Sequence, residues 1–223
     1  MKLLHNDYQG GVKRQQMAII LLFGFNAVAN LLLLFLTNKY IITYDIFEKS
    51  WADRLNPDQL QQYFTQKDQW AFWGYPALIL YLLLKYAIIT LILQLGSDFL
   101  GRKLAFWALF KVVLIAELVF LFPQALKVIH FMNVTGFTMN DLNTYEPFSI
   151  ASVVNPASAG PWRFLLQPLN LWELVYWFLL ADGIRHITGM TISRSLRVIF
   201  SSYVPSLALW VVMIAFAYFM ISR

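Results

Sequence analysis

Four charged side chains stand inside long apolar stretches of this chain: Lys85, Lys111, Glu117 and Glu173. A lone charge in hydrocarbon is costly, so such residues either neutralise one another or line a path for protons, ions or a polar solute. At 1.5 Å per residue, Lys85 lies about 15 Å from one end of its stretch. Glu117 lies about 20 Å from the corresponding end of the next stretch. Two such neighbours pack as an antiparallel hairpin, so the spacing allows a Lys85–Glu117 ion pair. Its functional reading is a proton or ion relay, or a polar substrate cavity. Its structural reading is a neutralising pair that fixes how two helices pack, because one pair lacks the chain of groups a pathway needs. Lys111, about 10 Å deep, can snorkel to the headgroups. Glu173 has a local explanation: Asn170-Leu171-Trp172-Glu173 has the spacing of a capping box, and the helix dipole favours a carboxylate there. The competing reading places Glu173 in a polar cavity with Glu117. Asn26 and Asn30, four residues apart, share a helix face and are expected to hydrogen-bond a neighbouring helix or a partner protein. Asp182, near Arg185, reads as half of an interfacial ion pair.

Other chemistry is not encoded. The chain has no cysteine, which excludes disulfides, thiolate metal sites and cysteine nucleophiles. His5, His130 and His186 are far apart and have no metal-binding spacing. There is no Walker loop, GxGxxG or GxSxG elbow. The sequence thus predicts no enzyme activity, no metal and no cofactor.

The elements that hold these residues follow from composition. Of 223 residues, 59% are hydrophobic and 13% charged, about half the ~25% of soluble domains. This excludes a soluble enzyme and a disordered chain, and it predicts an all-α integral membrane bundle. Stretches of about 20 apolar residues mark five transmembrane helices: 17–36, 71–95, 104–126, 169–184 and 201–221. The whole chain, 1–223, reads as one membrane domain. Lys2, Lys13, Arg14, Arg102, Lys103, Arg185, Arg194 and Arg197 fall on one side with three acids. That side carries the whole excess of about +5, so the N-terminus is assigned inside and the C-terminus outside. Asn56-Pro57-Asp58-Gln59 reads as a capped helix start in the first outer loop. A short amphipathic helix to about Gln66 follows, with Leu60, Tyr63 and Phe64 on one face. The second outer loop, 133–167, is punctuated by Pro and Gly into turns and short pieces. Trp70, Phe72, Trp73 and Tyr75, then Phe106 and Trp107, then Trp162 and Trp172, mark the water boundaries. Pro76, Pro123 and Pro205 sit within or near span ends, where kinks shape a bundle or hinge a transporter.

The C-terminal third carries Leu169-Asn170-Leu171-Trp172-Glu173-Leu174, then Leu180-Ala181-Asp182-Gly183-Ile184. A turn follows, Ile187-Thr188-Gly189-Met190-Thr191-Ile192-Ser193-Arg194-Ser195-Leu196. With Ser149-Ile150-Ala151-Ser152-Val153 and the hairpin Leu95 to Lys103, this resembles the bacterial branch of the Yip (Ypt-interacting protein) domain family over roughly residues 71–222. The resemblance implies a five-span integral membrane protein. Eukaryotic members act in vesicle traffic with Rab-type GTPases and have a long cytosolic N-terminal region. Here about sixteen residues precede the first span, so that role does not carry over. Asp182 departs from the apolar residue usual at its position, and the resemblance supplies no catalytic residues.

The leading expectation is a non-enzymatic, multi-pass inner-membrane protein, a scaffold or accessory in membrane organisation or envelope traffic. Its partners would be membrane lipids and either another membrane protein or further copies of itself. The basic residues are too few and scattered for nucleic acid. The alternative is a small transporter or channel using Lys85, Glu117 and Glu173.

Overall fold

Long apolar runs with few breakers fold into long helices, and the prolines decide where those helices bend. In the computed structural model, residues 2–52, 54–149 and 170–221 are described. Among them there is no strand, only an isolated bridge between Ser149 and Asn170. Helix α1 (Lys2–Leu36) starts well before the expected Met17, because no proline interrupts the polar tail. It ends in a π turn, Thr37–Ile41, where the Thr37 hydroxyl donates to the Leu33 carbonyl at 2.8 Å. Helix α2 (Tyr44–Trp51) follows. Helix α3 (Pro57–Phe99) runs 43 residues, about 65 Å at 1.5 Å per residue.

The start of α3 is the predicted one. The Asn56 side chain accepts from the Gln59 amide at 2.9 Å, and the Gln59 side chain accepts from the Asn56 amide at 3.1 Å. The predicted stop near Gln66 is absent. Nothing between Gln66 and Trp70 breaks a helix, so the expected surface helix is the outer part of α3 and continues through Pro76. Of its expected face, Leu60 is buried and Tyr63 exposed.

Helix α4 (Phe106–Glu117) passes through a 3₁₀ turn (Leu118–Phe120) into α5 (Leu121–Asn133). The cause is Pro123, which has no amide to donate and whose ring crowds the carbonyl four residues back, at Val119. The same effect separates α8 (Ile192–Ser201) from α9 (Tyr203–Ile221), since Pro205 crowds the Ser201 carbonyl. The short α6 (Met139–Thr144) and α7 (Leu171–Thr188) lie between these two broken helices. Gly189, at φ 69°, ends α7 in the left-handed conformation that suits glycine.

Helix α4 is the centre of the bundle. Leu109, Val113, Leu114 and Ala116 are fully buried against Leu93 of α3, Leu180 and Ile184 of α7 and Ile199 of α8. Gly183 lets α7 close on Val112, where a Cβ would overlap the Val112 side chain. Gly96 likewise lets α3 close on Ser202. Small residues serve this purpose where membrane helices pack closely.

A second core caps one end. Ile41, Ile46, Val128, Phe131, Phe137 and Leu142 bury one another there. Ser50 of α2 accepts from the Met139 amide of α6 at 2.8 Å, and Phe64 of α3 packs on Tyr44 and Phe47.

Four helical segments are long and apolar enough to cross a membrane: Lys13–Ile41, Gln69–Phe99, Phe106–Asn133 and Ile192–Ala217. The chain is therefore a multi-pass, all-helical membrane-type protein. The fourth expected span corresponds to α7, which is shorter and carries Glu173, Asp182 and Arg185 within 18 residues. Trp70, Phe72, Trp73 and Trp107 project outward as belt residues would. Expected turns at 150–167, Trp162, Leu169 and the Ile150–Val153 motif lie outside the described residues.

Candidate functional site

Lys85 and Glu117 meet. The Lys85 Nζ donates to Glu117 Oε2 at 2.7 Å, joining α3 to the last turn of α4. Glu117 is 3% exposed and Lys85 31%. The ammonium also lies 5.0 Å from the Phe120 ring centroid and 5.9 Å from that of Tyr86, within cation–π range. The break forced by Pro123 falls directly after Glu117, so the carboxylate sits where the helix changes direction.

The pair opens onto a cavity of about 460 Å³. Leu33, Leu34, Leu78 and Leu82 give it apolar walls, while Asn30, Gln124, Lys127 and Asn143 continue its polar side towards the capped end. Lys127 pairs with Glu146 at 3.7 Å near that mouth. Burial pushes the Glu146 carboxyl above its ordinary 4.5, and the neighbouring Lys127 ammonium opposes the shift.

Behind the ion pair, the buried Glu117 carboxylate and the fully buried Tyr176 hydroxyl are hydrogen-bond neighbours. Tyr176, fully buried on α7, lies within electrostatic range of Glu117, Glu173 and Tyr203. Its ring packs 5.0 Å from Phe120 and 5.5 Å from Tyr203.

Glu173 takes another position. Asn170 caps α7 as predicted, accepting from the Glu173 amide at 2.8 Å. The Glu173 carboxylate does not complete a capping box. It turns inward and is 7% exposed. Its Oε1 accepts from Trp177 Nε1 at 2.8 Å and from the Tyr203 hydroxyl at 2.9 Å, which ties α7 to α9. Glu173 does not line the cavity, yet it interacts electrostatically with both Lys85 and Glu117. The arrangement therefore holds two carboxylates and one ammonium, and a cation or proton would balance it.

Asn26 bridges helices, donating to the Leu114 carbonyl of α4 at 3.2 Å and to Leu22 of its own helix at 3.0 Å. The Tyr86 hydroxyl approaches its Oδ1 at 3.5 Å. Asn30 donates instead within α1, to the Asn26 carbonyl at 2.9 Å, and lines the cavity. Asp182 pairs with Arg185 at 2.8 Å and with His186 at 3.3 Å on an exposed surface away from the cavity. Among the described residues, no three His, Asp or Glu side chains converge as metal ligands. Sequence reasoning missed Tyr176 and Tyr203. The available signal was a tyrosine inside an apolar helix, since a buried hydroxyl needs a partner. No protein-family model, curated protein or solved structure matches the chain.

Proposed function

We propose that this is a five-span membrane protein, N-terminus inside and C-terminus outside, whose Lys85–Glu117 cavity receives a small cation, proton or polar-headed guest. The observation that carries this small-transporter reading is the buried Lys85–Glu117 pair opening onto a cavity with a polar side. The fifth crossing is α7. Its 18 residues span about 27 Å, close to the ~30 Å hydrocarbon core. One face, with Tyr176, Leu180 and Ile184, is buried, and the other offers Leu171, Leu174, Phe178 and Ile187 to lipid. Its charges are compensated, Glu173 by two hydrogen bonds and Asp182 by Arg185. The test is proton flux into acid-gradient proteoliposomes containing a trapped pH-sensitive dye. Flux above that of protein-free vesicles, lost in Glu117→Gln, is expected. Equal flux in the variant and the parent contradicts the reading.

A second reading is a non-enzymatic, Yip-like inner-membrane scaffold in membrane organisation or envelope traffic. It is favoured by the fact that three polar groups within the spans also cross-link helices: Asn26 joins α1 to α4, Lys85 joins α3 to α4, and Glu173 joins α7 to α9. Affinity purification in mild detergent tests it. A stable membrane-protein partner supports a scaffold, and recovery of the chain alone opposes it.

A further inference from the structure

A second pocket lies at the opposite end of the bundle from the capping core. There α3 ends at Phe99 and the amphipathic helix α8 begins. Its volume is about 340 Å³, and it is lined by Leu100, Arg102, Met190, Arg194, Arg197 and Val198. Three arginines from two separate segments thus line one space. Among the described residues, none of the three makes an ion pair or a side-chain hydrogen bond. The nearest acid in sequence, Asp98, is on the same turn as Arg102 and is exposed without an ion pair. Asp182 is occupied by Arg185 and His186.

Three unpaired cations lining one pocket repel one another, and an anion with several oxygens relieves that repulsion. Arg recognises phosphate with particular geometric fit, because its planar fork donates two parallel hydrogen bonds. The surroundings favour an amphiphilic phosphate. Val198 and Ile199 root α8 in the core, while Arg194 and Arg197 face outward from it. Phe99 is 90% exposed, and Leu100 and Ile192 are also exposed beside the pocket. Apolar side chains next to arginines at a span end match the junction of acyl chain and headgroup.

We propose that Arg102, Arg194 and Arg197 form a binding site for a phosphate group, carried by an anionic membrane lipid. The site is separate from the Lys85–Glu117 cavity and does not depend on what that cavity holds.

The experiment is native mass spectrometry of the full chain in detergent, with phosphatidylglycerol or phosphatidylcholine titrated in. Phosphatidylglycerol is expected to bind in preference to phosphatidylcholine. Arg194→Gln and Arg197→Gln should each weaken that binding about fivefold, the worth of one basic residue near an anionic surface. Arg194→Lys should keep part of the affinity. Lys13→Gln/Arg14→Gln removes charge from the same side, and it should leave binding intact. Inorganic phosphate is the second arm: competition by phosphate extends the site to soluble phosphate, and its failure to compete assigns the site to the lipid alone. Equal loss in the Lys13/Arg14 control, or equal binding of the two lipids, overturns the proposal. Unchanged thermal unfolding of the arginine variants confirms that only the exposed site was altered.

Discussion

At the scale of single residues, Glu117 is the pivotal group. One of its oxygens is held by Lys85, and the buried carboxylate also neighbours the Tyr176 hydroxyl. Removing one member of a buried pair leaves an uncompensated charge, which costs about 3–5 kcal/mol in full burial. Lys85 is partly exposed, so Lys85→Met is expected to cost less than that range. The double variant Lys85→Met/Glu117→Leu should recover most of the loss. Thermal unfolding of the four proteins checks this, and additive losses would mean that the two residues are not coupled. Glu146 gives a pH prediction. Its carboxyl is raised above 4.5 by partial burial, so the folded state binds its proton more tightly than the unfolded state does. Its contribution is fully present below the unfolded value and is lost as pH rises through the folded one. Glu146→Gln should therefore melt higher than the parent at neutral pH, with the gap closing as pH falls below about 4.5. A gap independent of pH would contradict this. The Lys85–Glu117 contact was legible in the sequence, because helix rise converts residue spacing into depth. The inward turn of Glu173 was not, because capping depends on local spacing, whereas Trp177 and Tyr203 compete for the carboxylate only once α7 and α9 are packed.

At the scale of elements, prolines and glycines mark the geometry. Pro123 and Pro205 each follow a helix break by about one turn, whereas Pro76 lies within the unbroken α3, so the sequence expectation of kinks at all three did not say which would interrupt a helix. Gly183 carries a packing consequence that no pattern in the sequence revealed. Gly183→Ala forces a methyl into Val112, and such overpacking costs about 1–3 kcal/mol. Adding Val112→Ala should restore much of the loss in detergent melts, and a double variant as unstable as the single one would place the strain elsewhere. The capping box at Asn56 was read correctly, yet its helix proved far longer than expected. A cap specifies where a helix starts, and only a breaker specifies where it ends. Asn56→Ala should cost about 1 kcal/mol, seen as faster hydrogen exchange in the first turn of α3. Exchange unchanged there would remove the cap from the account. The short helices α2 and α6 were hidden because their stability comes from mutual packing with Phe131 and Phe64, contacts distant in sequence.

At the scale of the molecule, the 59% hydrophobic composition announced a membrane bundle, and four helical segments meet the length and apolarity of a crossing. The proposed fifth crossing rests on α7, which carries more charge than a simple span. It also decides topology, because it sets whether the two ends of the chain face opposite sides. The absence of native cysteine permits a clean test. Single cysteines at Ser193 and Thr65 should react with a membrane-impermeant maleimide from opposite sides of sealed vesicles. Labelling of both from the same side would contradict the proposed crossing pattern. The polar cavity was legible only as two isolated charges, since its walls come from α1, α3, α5 and α6 together.

The proposed transport requires the cavity beside Glu117 to admit water and polar guests within the membrane. Leu121 and Phe122 lie at the same depth on α5, and only Leu121 lines the cavity, while Phe122 is exposed on the bundle surface. The direct measurement is the reaction rate of Leu121→Cys and Phe122→Cys with a small charged thiosulfonate reagent in reconstituted vesicles. Rapid modification at 121 and little at 122 are expected. Unreactive cysteines at both positions would show a dry cavity and contradict the proposed transport.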